Sequence, residues 1–177
     1  MACALTSDLT PKACKTPSGV SELLVMEYAS LTGGADGVTY TSNVVTALAR
    51  VTGKKFRRYQ VKAGVSDMKV NGAGSGVNGS KFYSYEVNTQ ILGIDTATQE
   101  ELDLILANTL IVIVKLNDNT YWMVGQEHGM DVVSENFETG VSMGDFMGDK
   151  IQLTGQGTLK AKKVDSELIV DLLTPAA

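Results

Sequence analysis

A chain of 177 residues with 44% hydrophobic and 20% charged residues is long enough for one domain with a full core, and no composition break divides it. Its formal net charge of -5 argues against a general nucleic-acid-binding surface. The longest apolar run, LIVIV at 110–114, is strand-sized and falls well short of the roughly 20 apolar residues that span a bilayer, so a soluble protein without a membrane partner is expected.

Residues 1–20, with Pro11, Pro17 and scattered Ser and Thr, have neither helical nor strand period and read as an extended N-terminal arm. MACALTSDL lacks the basic start and long apolar core of a secretory signal, which leads to the expectation of a mature N-terminus and cytosolic synthesis. Cys3 and Cys14, with a single His in the chain, are too few for a disulfide framework or an ordinary zinc site and read as reduced thiols. Residues 21–177 then form one β-rich domain.

SELLVMEYASL (21–31) predicts a strand with Leu24, Met26 and Tyr28 on one face, ended by the turn chemistry of TGGADG. NVVTALAR (43–50) fits a short helix or a strand. RRYQVKA (57–63) and KFYSYEVNTQIL (81–92) alternate as half-solvated antiparallel strands do. Between them NGAGSGVNGS (71–80) contains Gly74-x-Gly76-x-x-Gly79. A dinucleotide fingerprint needs a helix to follow, and an alternating strand follows here, so an inter-strand loop is expected.

DTATQEELDLILANT (95–109) carries Leu102, Ile105 and Leu106 at helical spacing, and Thr96-x-x-Gln99 and Thr98-x-x-Glu101 both fit a capping box. It predicts the principal helix. LIVIVKL lacks alternation and is rich in β-branched residues, which suits a strand buried on both faces. NDNT supplies a turn and YWMVG the return strand. Further strands are expected at Lys150–Thr154, Thr158–Val164 and Glu167–Leu173. The sum is a mainly β, α+β fold: an antiparallel sandwich or small barrel with one flanking helix, an arm and long loops.

Several polar groups invite a chemical reading. Glu127, His128 and Asp131 could be a base with its orienting carboxylate or part of a metal site, but no nucleophile motif, second His or ligand spacing accompanies them. A solvated strand end explains them as well. Asp145 and Asp149 lack the ligand spacing of an EF-hand. No catalytic residue, cofactor or metal is assigned.

Charge, by contrast, is segregated. Seven basic residues from Arg50 to Lys69 face Asp67 alone, and eleven carboxylates from Asp95 to Asp149 face only Lys115. Such a chain can join head to tail, with charge setting register and sheet edges and apolar contacts giving most of the stability. The expected self-assembly interface is Arg50, Lys54, Lys55, Arg57, Arg58 and Lys62, opposite an acidic surface or lumen containing Glu127, Asp131, Glu135, Glu138, Asp145 and Asp149.

MACALTSDLTPKACKT, the hairpin KLNDNTYWMVGQEHGMDV and TGVSMGDFMGDKIQLTGQGT together resemble small virion structural proteins of tailed bacteriophages, particularly those of Bacteroidota-type hosts. The resemblance covers residues 1–30 and 95–160 and matches no word in 32–94. It implies a tail tube protein: a β-sandwich or small barrel with a flanking helix, assembled in the host cytoplasm into stacked hexameric rings of a virion. It also implies contacts with other virion proteins and an acidic channel through which DNA passes without specific binding. A head-decoration or connector-ring protein is the alternative within virions, and a carbohydrate-binding module using Tyr83, Tyr85 and Trp122 is the alternative of another class.

Overall fold

Leu110 to Val114 open a strand, none of the five more than 3% exposed, and two layers are arranged around it. The computed structural model describes residues 17–61, 64–75, 79–93 and 95–176. In chain order these form Val20–Glu27 (β1), Val38–Thr41 (β2), Val44–Leu48 (β3), Arg57–Gln60 (β4), Asp67–Ser75 (β5) and Ser80–Leu92 (β6). Thr96–Ala107 (α1), Leu110–Leu116 (β7), Tyr121–Val124 (β8), Asp131–Glu138 (β9), Gly148–Gly157 (β10), Lys162–Val164 (β11) and Leu168–Leu173 (α2) follow. Most of the expected arm, residues 1–16 with both cysteines, lies outside the described residues, and Val20 already opens β1.

The strands make two sheets. The larger has seven strands in the order β2-β3-β11-β8-β7-β1-β4, and the smaller has four in the order β5-β6-β10-β9. The only parallel pair among the described residues is β11 with β3. The fold is mainly β and sandwich-like, with one long helix, as the sequence led us to expect.

The larger sheet is covered on both faces. Leu23, Val25, Val112 and Val114 meet Tyr85, Val87, Ile151 and Leu153 of the smaller sheet and Leu102 and Ile105 of α1. On the other side Leu24, Met26, Ile111 and Ile113 pack with Val45, Phe56 and the α2 residues Ile169 and Leu172. Double coverage is why β7 shows no alternation, and full burial of each such side chain is worth roughly 1.5–3 kcal/mol.

The β7–β8 turn follows the expected chemistry. Asp118 Oδ1 accepts from Thr120 N at 3.0 Å and from Thr120 Oγ1 at 2.6 Å, while Asn119 takes the left-handed conformation at φ 61°.

Of the two forms open to residues 43–50, the structure has the strand, Val44–Leu48. Other expectations are corrected. Glu167–Leu173 is not a strand: Leu168–Leu173 is a helical turn burying Ile169 and Leu172, three residues apart on one face. The α1 cap is Asp95, which is extended and whose carboxylate accepts from Thr98 N at 2.7 Å, in place of either threonine. Leu106 points to solvent. Of Thr158–Val164 only Lys162–Val164 is strand, because β10 continues to Gly157.

The glycine-rich stretch is also strand as far as Ser75. Gly72 lies opposite Tyr83, and a Cβ there would stand 3.0 Å from the ring, so the glycine makes room for a cross-strand aromatic.

Candidate assembly surface

Glu127 sits between β8 and β9, in a turn closed by Gly129 N donating to Gly125 O at 2.9 Å, with both glycines at positive φ. Its carboxylate accepts from Thr158 Oγ1 at 2.6 Å, from Leu159 N at 3.1 Å and from Thr158 N. Burial pushes the Glu127 pKa up, and these hydrogen bonds outweigh it, leaving the group below the ordinary Glu value. Glu127 therefore ties the β8–β9 turn to the segment after β10.

Asp131 instead accepts from Thr109 Oγ1 at 2.8 Å, and His128 is exposed, so the three groups do not converge on a substrate-sized point. Among the described residues no group of three or more His, Cys, Asp and Glu side chains is placed to hold a metal ion.

The basic residues divide into two kinds. Arg50 has a side chain only 4% exposed, paired with Asp171 at 2.6 Å and donating to the carbonyls of Leu172 and Thr174, so it anchors α2. Arg58 pairs with the largely buried Glu22, which Lys115 also approaches at 3.8 Å. Both cations are paired within the chain, the Arg50 side chain buried and Arg58 exposed. Lys54 makes an exposed contact of 3.6 Å with Glu27, and Lys55 and Arg57 form no ion pair among the described residues. Lys62 lies outside the described residues.

The carboxylates are likewise split by strand register. Glu135 and Asp149 lie on the inner side of the smaller sheet, in the rows of Ile151 and Phe137, and Asp149 is only 3% exposed. Burial raises the pKa of both, and for Glu135 the nearby Asp149 and Asp103 add to it. Asp145 is turned into its own loop, accepting from Val141 N at 2.9 Å and Ser142 N at 2.7 Å. Asp131 and Glu138 lie on the outer side, opposite Thr154 and Gly148 of β10.

That outer side was not anticipated. Register places Asp67, Asn88, Gln152 and Ser134 in one row across the sheet and Lys69, Glu86, Thr154 and Asp131 in the next. The groups are cross-linked. Asn88 Nδ2 donates to Asp67 at 3.0 Å and to Glu86 at 2.8 Å, Gln152 Nε2 donates to Glu86 at 3.2 Å, and Lys150 pairs with Glu138 at 2.6 Å. The Asn88 amide, with help from Lys69, holds Glu86 below the ordinary carboxylate range, so it stays charged at neutral pH. The alternation of KFYSYEVNTQ marks the β6 residues of this face in the sequence. Their neighbours across the sheet follow only from the pairing.

The edges of the two sheets differ. The larger sheet ends in strands of 4 residues, β2 and β4, whereas the smaller ends in β5 with 9 and β9 with 8. Long open edges carry rows of backbone donors and acceptors that can pair with another chain.

Tyr83, Tyr85 and Trp122 do not make a shared platform: Tyr85 is buried with its hydroxyl donating to the Leu159 carbonyl, and the other two pack against the same core. No helix among the described residues is long and apolar enough to cross a membrane. Comparison with protein-family models, curated proteins and solved structures returned no match.

Proposed function

We propose that this protein is a structural subunit of a phage tail tube, assembling into rings that stack around a DNA-conducting channel. The observation that supports the reading is the smaller sheet, with its covered inner face, bare polar outer face and two long open edges of similar length. Joining β9 of one copy to β5 of the next continues that sheet, and repetition of one heterologous contact closes into a ring in which no edge is left open.

The outer face then lines the channel. It carries Asp67, Glu86, Asp131 and Glu138 against Lys69 and Lys150, both of which are paired to carboxylates, and its other positions are amides, hydroxyls and small residues, with the exposed Phe82 and Leu92 toward the two ends of β6. Such a wall repels phosphate weakly and offers few cations for DNA to adsorb to. The ring has no catalytic step, and its partners are further copies and other virion proteins.

Negative-stain electron microscopy of the purified full-length chain at high concentration tests the proposal. Rings or tubes with a central channel are expected, and a strictly monomeric particle over the whole concentration range would contradict it.

A further inference from the structure

The β9–β10 loop, residues 139–147, presents apolar side chains to solvent on an ordered backbone. Val141 is 100% and Met143 110% exposed, and Phe137 and Met147 at the loop base are also exposed. The loop is held by the Asp145 carboxylate on Val141 N and Ser142 N, by Asp145 N donating to Ser142 O at 3.0 Å, and by Gly140 at φ 70°. Isolated exposed apolar residues are ordinary, whereas several on one pre-ordered turn mark a contact.

A complementary recess exists elsewhere on the chain. It has a volume of about 170 Å³, with Val25, Leu104, Ile105 and Leu110 contributing apolar lining and Lys54, Lys55 and Arg57 contributing cations. Loop and recess lie toward opposite ends of α1. Gly93, just before the helix, donates to Met147 O of the loop at 3.4 Å, while the recess uses the second half of the helix. Twelve helical residues span about 18 Å, so the recess is out of reach of its own chain's loop. The charge balance differs in sign: Asp95, Glu138 and Asp145 flank the loop, with Lys150 paired to Glu138, while the recess sets Lys54, Lys55 and Arg57 against Glu27 and Glu101 and so keeps one net positive charge, with Lys55 and Arg57 outside any ion pair among the described residues.

We infer that the 139–147 loop of one copy docks into the α1–β1–β4 recess of a second copy, Val141 and Met143 entering the apolar part, as the end-to-end contact between stacked subunits. The contact is heterologous and its two halves lie at opposite ends, so it propagates without closing. It rests on the tube reading for its direction and supplies the contact that β5–β9 edge pairing does not.

The test uses the full chain with Cys3→Ser and Cys14→Ser, so that introduced thiols are the only ones. Val141→Cys and Leu104→Cys proteins are purified separately, mixed, and oxidised under conditions in which the unaltered protein associates. A disulfide joining the two different variants, in excess over either alone, is expected. In a second arm Met143→Glu should raise the concentration needed for stacking by about tenfold or more, with the melting temperature of the unassembled chain unchanged. Rings or tubes that form without that disulfide would overturn the docking contact and leave the tube reading intact. Disulfide-linked pairs that build neither ring nor tube would support the contact and remove the tube reading. Leu104→Cys joining to Cys14 in a chain that retains it would assign the recess to the N-terminal arm, and a chain that never associates would overturn both ideas.

Discussion

The two sheets of this protein are built to different ends. The larger has both faces buried and short outer strands, so it has little left to offer a partner. The smaller has one face in the core, one face of cross-linked polar groups, and long strands at its margins. Apolar burial is concentrated where side chains are covered twice, and open backbone edges and polar groups are concentrated at the margins and outer face of the smaller sheet. In the assembly we propose, these two regions separate the demands of folding alone and of joining further copies.

Ile113→Ala removes a fully buried side chain from the doubly covered sheet and is expected to cost about 2–5 kcal/mol in urea or guanidinium unfolding. A cost below that of a surface substitution would show that the larger sheet is not the scaffold.

Glu127→Gln is next, because it weakens the hydrogen bonds that fix the segment after β10; hydrogen bonds to a charged group are worth about 1.5–3 kcal/mol each, partly screened at this half-exposed site. The Glu127 pKa is lowered in the folded protein, so its contribution is present above the ordinary value of 4.5 and is lost as pH falls through the folded value. Unfolding of the wild type and the Gln variant should therefore converge in acid.

Asp149→Asn should move stability in the opposite direction. Burial raises the pKa of Asp149, so the folded protein holds this proton to higher pH than the unfolded chain does, and stability falls as pH rises above the ordinary value of 3.8. The Asn variant is expected to melt higher at neutral pH, with the gain fading toward acid. A lower melting temperature at neutral pH would mean that Asp149 has a stabilising partner in its charged form.

The smallest effect belongs to the open face. Asn136→Ala removes an exposed amide that donates to Ser134 Oγ at 2.8 Å, and a change within about 0.5 kcal/mol is expected in urea unfolding.

What the sequence made legible follows the same division. LIVIV, the KFYSYEV alternation, the 95–109 helix and the NDNT turn are each determined by neighbours within a few residues, and each was found. DVVSENFE was missed because β9 carries Glu135 on its inner side and a bulge near Val132–Ser134 breaks the period of two. ELIVDLL was misread because one helical turn of apolar residues has no period long enough to distinguish it from a strand.

The division of the charged cluster was invisible for another reason. Arg50 meets Asp171 from 121 positions away, and Arg58 meets Glu22 across a strand pair, so sequence adjacency grouped them with Lys54, Lys55 and Arg57, whose surroundings are different. The open face was hidden likewise, since its rows draw one residue from each of four strands.

Amide hydrogen exchange, compared between assembled and dissociated protein, reads the pairing of the sheet edges strand by strand. Edge pairing through the smaller sheet predicts new protection along Asp67–Ser75 and Asp131–Glu138, with Val38–Thr41 and Arg57–Gln60 gaining none from edge pairing. Assembly that protects the edges of the larger sheet and leaves β5 and β9 exchanging as before would contradict it.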